Sequence, residues 1–283
     1  MGKGAHGMTL QEVEARLREA GIDAASVEAL WLAKHFTSLS DLALRAGESF
    51  DSAPLEAALS RRCERYPLQY LLGEWPFWRQ SYEVTPDALI PRADTESLVE
   101  EAIRRLPKGA HFADLCTGSG CIAVSVLAER PDTTAVAVDK FPATLALAER
   151  NAKRNAVDAR FTPVRADLLL PGTAVEGMPF DAVLCNPPYI RSEVIPTLER
   201  ELFAEPMAAL DGGEDGLIFY RTLLADADRW IKEDGFFLFE IGYDQGEALL
   251  TLAREHGLAD VRILRDLGGC DRVVYAARAH GID

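Results

Sequence analysis

Asn186-Pro187-Pro188-Tyr189 follows an apolar run, residues 180–185, and gathers groups suited to one difficult reaction. An amide or aromatic amino nitrogen has its lone pair delocalised into a π system, as in the peptide bond with its rotation barrier of about 18–20 kcal/mol. Such a nitrogen is a poor nucleophile, and no ordinary side-chain base deprotonates it. Two acceptors aimed at its two hydrogens orient it and favour pyramidalisation toward an electrophile. Asn186 offers a side-chain carbonyl oxygen and Pro187 a main-chain one. The consecutive prolines, Pro187 and Pro188, fix φ and disfavour helical geometry before them, which holds both acceptors in place. Tyr189 offers a ring against a planar group or near a cationic methyl. Catalysis of this kind is positioning and electrostatics. Alone, Asn-Pro-Pro is an ordinary turn, so its meaning depends on what surrounds it.

A second constellation lies upstream. Asp114-Leu115-Cys116-Thr117-Gly118-Ser119-Gly120 follows an apolar run and opens a helical one. Glycines at such a point let a backbone approach a ligand, and the helix start offers free N–H groups. Nucleotide-binding α/β folds place an acidic residue about 20 residues on, at the end of the next strand, for ribose hydroxyls. Asp139 lies 19 residues after Gly120. The loop lacks the third glycine of a dinucleotide site, since residue 123 is Ala. S-adenosylmethionine has no pyrophosphate and fits this departure. The expectation is that Cys116, Thr117, Gly118, Ser119 and Gly120 contact that cofactor. Asp114 receives its ammonium group directly or through water, Asp139 takes the ribose, Asp167 and Leu168 flank the adenine, and Asn186 sits beside it. Taken singly, each Asp is equally a helix cap or turn former. Three of them at strand ends in one crevice are not so readily dismissed.

The elements that must position these residues are legible as a pattern. Apolar positions at three- and four-residue spacing predict helices from residue 8 to about 59, broken at Gly21 and Gly47. Asp51-Ser52-Ala53-Pro54 predicts a cap followed by a first-turn proline, and Tyr66-Pro67 an interruption. Residues 74–90, aromatic and β-branched, predict a hairpin linker. A helix is expected over 95–106. Thereafter strands are expected at 111–116, 134–139, 160–166, 180–185, 235–241, 260–265 and 271–278, with helices at 121–130, 142–155, 217–232 and 245–256. This alternation predicts a Rossmann-like α/β fold whose mostly parallel seven-stranded sheet is covered on both faces. The last two strands are joined too tightly for a crossover, so one is antiparallel. The predicted organisation is an N-terminal helical domain (1–73), a hairpin linker (74–90) and a methyltransferase domain (91–283).

Composition narrows the function classes. A net charge of −15 opposes a protein whose main task is gripping a polyanion, which relies on Lys and Arg, although acidity is equally a solubility device. No membrane span and no signal peptide is expected, and five cysteines without framework spacing predict reduced thiols in the cytoplasm. Cys116, Cys121 and Cys185 read as packed core rather than as a metal site, and none is expected.

Taken together, these motifs make the chain similar to a known family: it resembles the bacterial release factor glutamine methyltransferases of the HemK type. The resemblance rests on Pro67-Leu68-Gln69-Tyr70, Leu89-Ile90-Pro91-Arg92-Ala93-Asp94-Thr95-Glu96, the glycine loop, Asn186-Pro187-Pro188-Tyr189-Ile190, Glu205-Pro206, Glu240-Ile241-Gly242 and Asp271-Arg272-Val273-Val274. It implies a class I methyltransferase fold and a helical domain that docks class 1 release factors. It further implies methylation at N5 of the glutamine in their Gly-Gly-Gln motif, by a monomer acting on protein and not directly on nucleic acid. It places Arg92, Thr95 and Glu96 over the cofactor pocket. Two departures stand out: Ala93 where the family often has Pro, and Cys116 where it more often has Gly. The same loop form occurs in relatives that methylate a ribosomal protein glutamine, a second reading. A third, adenine-N6 methylation of nucleic acid, uses the same Pro-Pro-Tyr turn but wants a basic recognition region that is not visible.

Overall fold

Thr9 and Glu12 satisfy each other's backbone donors at the first helix start: Glu12 N donates to Thr9 Oγ1 at 3.4 Å and Thr9 N to Glu12 Oε2 at 2.7 Å. This is seen in a computed structural model that describes residues 7–266 and 268–278. The chain forms two compact units. The first comprises residues up to Gly73 together with Glu199–Ala204, and the second Glu74–Leu198 with everything from Glu205 on.

In the first unit, strand β1 (Gly7–Met8) pairs antiparallel with β2 (Phe50–Asp51), beside helices α1 (Leu10–Glu19), α2 (Ala25–Phe36), α3 (Asp41–Arg45), α4 (Ala53–Cys63) and α5 (Leu68–Leu72). The predicted spacing buries Leu10, Val13 and Leu17 against Leu30, Leu32, Leu55 and Leu59. Gly21 and Gly47 turn left-handed after their helices. The N-cap of α4 is Ser52, which makes no side-chain cap bond; Asp51 Oδ1, one residue earlier, accepts from Ala53 N at 3.0 Å, and Pro54 lies in the first turn.

The second unit opens with a hairpin, β3 (Glu74–Phe77) and β4 (Gln80–Glu83), which groups with the sheet domain that follows. Then come α6 (Glu96–Arg105), β5 (His111–Leu115), α7 (Cys121–Glu129), β6 (Thr134–Asp139), α8 (Pro142–Arg154), β7 (Phe161–Arg165) and β8 (Phe180–Cys185). The chain closes with α9 (Ile218–Ala225), α10 (Ala227–Trp230), β9 (Ile231–Glu240), α11 (Gly246–Glu255), β10 (Asp260–Arg265) and β11 (Asp271–Ala277). Seven strands make one sheet in the order β10-β11-β9-β8-β5-β6-β7, and only β11 runs antiparallel to its neighbours. Successive side chains alternate between two cores: Phe112, Leu184 and Leu238 on one face, Leu115, Val183 and Phe239 on the other. Pro163, which lacks an N–H, falls on the edge strand β7.

One predicted element is divided. The helix expected over 217–232 breaks at Asp226 into α9 and α10, and Ile231 already pairs with Phe180 as β9 begins. Trp230 and Ile231 satisfy helical spacing, but both are buried in the second core. Lys232, Glu233 and Asp234 then bulge into solvent before Phe236 pairs with Ala182.

The consequence for function lies at β5 and β8. They are parallel neighbours with Leu115 opposite Cys185. The glycine loop leaves the end of one, and the diproline turn the end of the other. This is the strand-order reversal at which open α/β sheets bind ligands.

Candidate active site

The glycine loop takes its shape from left-handed residues. Cys116 (φ 57°), Gly118 (φ 56°) and Gly120 (φ 80°) all have positive φ, a conformation that favours glycine and that Cys116 adopts as an L-residue. At Gly120 there is a second constraint, because a Cβ would stand 3.1 Å from Ala148 Cβ in α8. Asp114 holds the loop from behind: its Oδ2 accepts from Thr117 Oγ1 at 2.6 Å and Ala123 N at 3.1 Å. Asn151, buried in α8, donates to Ser119 O at 2.9 Å and to Glu83 O at 3.0 Å, tying loop to hairpin.

A cavity of about 410 Å³ opens above this loop. Cys116, Thr117, Gly118 and Ser119 line it, as do Asp139, Asp167, Leu168, Asn186 and Pro188. The structure therefore brings most of the sequence-predicted residues to one wall. Asp114 and Gly120 sit beneath the loop instead. Pro187 is buried, and Tyr189 packs with the second core and turns its hydroxyl to Glu240 Oε1 at 3.4 Å, so neither belongs to the lining. Asp139 receives Gly118 N at 3.2 Å and Phe141 N at 3.1 Å. Asp167 pairs with Lys140 Nζ at 2.8 Å.

Asn186 donates from Nδ2 to Thr95 Oγ1 at 3.3 Å. Its carbonyl oxygen is thus left unclaimed by any described residue. The bend itself is clamped by Gln245, whose Nε2 donates to Tyr189 O at 3.0 Å and Gly216 O at 3.3 Å.

Comparison with known proteins gives this geometry a family. Residues 94–228 match the methyltransferase small domain, and residues 9–73 the PrmC N-terminal domain. The release factor glutamine methyltransferase of Geobacter sulfurreducens is 39% identical over 264 residues, covering 91% of each chain. That of Moorella thermoacetica is 39% identical over 277 residues, covering 95% of this chain and 97% of its own. The chain belongs to the release factor glutamine methyltransferase family. Caulobacter vibrioides supplies a further relative, 37% identical over 285 residues and 96% of this chain, 98% of its own. The hMettl16 catalytic domain, solved with a 3'UTR hairpin, superposes with a TM-score of 0.56 over 71% of this chain and 76% of that one. At 16% identity it speaks for the fold alone. Among the described residues no helix is long and apolar enough to cross a membrane.

In this methyltransferase, the electrostatics of the site follow from burial. Asp114 is fully buried and its carboxyl is pushed up to about 7, with Oδ1 lacking a partner. Burial also raises Asp139, against the pull of the Phe141 and Gly118 amides. Asp167 is held below its usual value by Lys140.

Of Arg92, Thr95 and Glu96, which the resemblance places over the pocket, Arg92 and Thr95 line the cavity and Glu96 does not; what the segment Ile90 to Glu96 bonds to is not anticipated. Ile90 N donates to Glu205 Oε2 at 2.9 Å, and Arg92 pairs with the same buried carboxylate. Asp94 pairs with Arg272 at 3.1 Å, Thr95 receives Asn186, and Glu96 accepts Trp78 N at 2.7 Å. Together these residues tie the segment to four places in the second unit: Glu205, Arg272, Asn186 and Trp78. These partners are 18 to 115 residues apart for the bonds to Trp78 and Glu205, so no local spacing announces them.

Proposed function

We propose that this methyltransferase transfers the methyl group of S-adenosylmethionine to N5 of the glutamine in the Gly-Gly-Gln motif of class 1 release factors. One observation carries the reading: a single cavity is walled both by the glycine loop with Asp139 and by Asn186. The residues suit the cofactor. The volume falls within the range of small-molecule pockets, Ser119 lines the wall and its buried Oγ has no partner, and Asp139 presents a carboxylate held by two backbone amides. Cys116, Thr117, Gly118, Ser119, Asp139, Asp167 and Leu168 would hold it, and Asp114 behind the loop would receive its ammonium directly or through water. Bound there, it supplies an electrophilic methyl on a sulfonium.

The chain's own part is orientation. The Asn186 carbonyl oxygen accepts one hydrogen of the substrate amide and the Pro187 carbonyl the other, which fixes the nitrogen's facing without removing a proton in advance. Tyr189 braces the bend through Glu240 rather than stacking on substrate. Residues 1–73 dock the release factor, the hairpin of 74–90 joins them to residues 91–283, and the enzyme works as a cytoplasmic monomer.

The test is to incubate the protein with labelled cofactor and release factor. Label should enter a wild-type Gly-Gly-Gln loop and be absent when its glutamine is replaced by alanine. Label in the alanine variant would overturn the assigned site, and label only in a ribosomal protein or in adenine would overturn the assigned substrate.

A further inference from the structure

The diproline bend cannot be held as other backbone is. Pro187 and Pro188 have no N–H, so what they offer their surroundings is carbonyl oxygen. Proline fixes φ alone; ψ, which aims a carbonyl, is left to other contacts. A donor from outside must complete the bend, and Gln245 supplies it. This residue is 8% exposed and stands at the start of α11. Its Nε2 donates to Tyr189 O at 3.0 Å and to Gly216 O at 3.3 Å. Its Oε1 accepts from Gly242 N at 2.9 Å. A carboxamide is nearly symmetric in shape, but these partners admit one orientation, because a main-chain N–H only donates and a carbonyl only accepts. Reversal would set an oxygen against two oxygens.

This one side chain joins three stretches that are far apart in sequence: the bend at Tyr189, the glycine segment at Gly216 and the turn after β9 at Gly242. The fit is close. A Cβ on Gly212 would stand 2.7 Å from Tyr189 Cα, and one on Gly242 would stand 3.2 Å from Gln245 Oε1. The far end of Tyr189, its hydroxyl, reaches Glu240 at the end of β9. Asn186 and Pro188 line the cavity, whereas Gln245 does not. Its effect on a bound substrate must therefore pass through the bend.

We infer that Gln245 is a positioning residue for methyl transfer: by holding the Tyr189 and Gly216 carbonyls it fixes the bend so that the Asn186 and Pro187 oxygens meet the substrate amide. The inference rests on the acceptor role proposed above for those two residues. Misplacing reacting groups by about 1 Å can cost about 10²-fold in rate. A carboxyl in place of the carboxamide gives the sharpest probe. Ionised, it turns an oxygen on two carbonyls; protonated, its one hydrogen satisfies one of them. Burial can raise such a carboxyl by about 3 units. Ionisable neighbours on the surrounding elements are Glu240, Asp244, Glu247, Asp215 beside Gly216, Asp271 beside Gly246, and the Tyr189 hydroxyl. The cations among them, Arg221 and Arg265, already pair with Asp215 and Asp271.

The test compares Gln245→Met and Gln245→Glu with wild type in the full chain. Gln245→Met keeps the length, gives up all three bonds and should lower kcat by ~10–10²-fold. Cofactor Kd should stay within about threefold of wild type. Relative to wild type, kcat of Gln245→Glu should be within about tenfold near pH 6 and fall a further ~10-fold by about pH 8.5. The same ratio for Gln245→Met should be flat. Wild-type kcat in Gln245→Met, or a flat ratio in Gln245→Glu, would overturn the inference. So would a cofactor Kd that worsens as much as kcat, because general loosening of the fold moves both. Melting temperature reads the clamp without methyl transfer. A carboxyl raised in the folded chain stabilises it while protonated, fully below about 4 and no longer above its folded value. The gap between wild type and Gln245→Glu should therefore widen from about pH 5 to about pH 8, and that for Gln245→Met should not. Gaps that run parallel would show that the side chain does not face two carbonyls, and the inference would fall. Unchanged kcat in Asn186→Ala would remove the acceptor role and this inference with it. A loss there beside wild-type kcat in Gln245→Met overturns this inference alone.

Discussion

Gly216 lies directly beneath the diproline bend: a Cβ there would stand 2.4 Å from the Tyr189 carbonyl oxygen and 2.6 Å from Gln245 Nε2. Its φ is 76°. An L-residue is opposed twice, by the left-handed backbone and by overlap with a main-chain oxygen that cannot swing away. Gly47 has a similar φ of 85°, but a Cβ there would meet nothing within 4 Å, so it isolates the first effect. Gly47→Ala should cost about 1–2 kcal/mol. Gly216→Ala should cost ~2–4 kcal/mol and reduce turnover disproportionately, because the displaced atoms belong to the bend that carries Asn186. Denaturation midpoints and single-turnover rates distinguish the two; equal losses in both variants would mean the bend tolerates displacement.

Within the first unit, Arg62 offers the sharpest contrast between kinds of ion pair. Its guanidinium, 7% exposed, meets Glu28 at 2.6 and 3.1 Å, Glu201 at 3.1 Å and Tyr66 O at 3.3 Å. Arg16 makes a two-pronged pair with Glu56 at 2.8 Å but is 35% exposed. Removing one member of a buried network leaves the others charged and desolvated. Arg62→Met should destabilise the unit by ~3–5 kcal/mol, and Arg16→Ala by no more than ~1 kcal/mol. Amide hydrogen exchange in α2 and α4 reads this unit directly, and similar protection in the two variants would show the network to be dispensable.

The legibility of this fold has a physical boundary. Buried parallel strands read as apolar runs, and those of β5 and β6 close on Asp114 and Asp139 while that of β8 leads into Asn186, so these strands and the crevice at their ends are visible in the amino-acid pattern alone. The 3.2 Å bond between Gly118 N and Asp139 is what adjacent strand ends deliver. Ile231, directly after the helical Trp230, misleads because an apolar residue bounded by charge fits a helix and a strand equally well. Asn151, Gln245 and Glu240 carry no local signal at all. Each is a polar residue whose partner lies far away in sequence, as with Glu240 and Tyr189, 51 residues apart. Resemblance brings Thr95, Glu205, Glu240 and Arg272 to notice as motifs, but only the fold reveals that they brace the rim around Asn186.

Asp114 and Glu240 make the ligand-free protein sensitive to alkali in a predictable direction. Both carboxyls titrate near 7 in the folded chain because they are buried, and near their ordinary values when unfolded. A raised carboxyl favours the folded state while protonated in it. That contribution is complete below about pH 4, declines between about 4 and 7, and is gone above about 7. Carboxylates lowered by partners, such as Asp167 beside Lys140 and Asp266 beside Cys270 N, act in the opposite sense and lose their contribution only in acid. Melting temperature should therefore fall between pH 5 and pH 8 in wild type, and fall less in Asp114→Asn, which can still accept from Ala123 N. A variant with an unchanged slope would mean that Asp114 is ionised throughout.

Asn186 and Asp139 face the same cavity but should fail in different ways when truncated. On the proposed mechanism Asn186 contributes a single preorganised acceptor to the reacting amide, a contact that counts most when the nitrogen is being attacked. Asn186→Ala should cut kcat by ~10²–10³-fold and leave cofactor affinity nearly unchanged. Asp139 is held by Gly118 N and Phe141 N at the end of β6, two strands from the β8 end that carries the diproline bend. Asp139→Ala removes the carboxylate proposed to hold the cofactor hydroxyls and leaves the Gly118 and Phe141 amides without that acceptor. It should raise the cofactor Kd by at least about tenfold, while saturating cofactor recovers most of kcat. Titration calorimetry paired with rates at saturation separates the two variants. If Asn186→Ala weakened binding as much as Asp139→Ala and kept its rate at saturation, Asn186 would be a cofactor ligand and not the acceptor for the substrate amide.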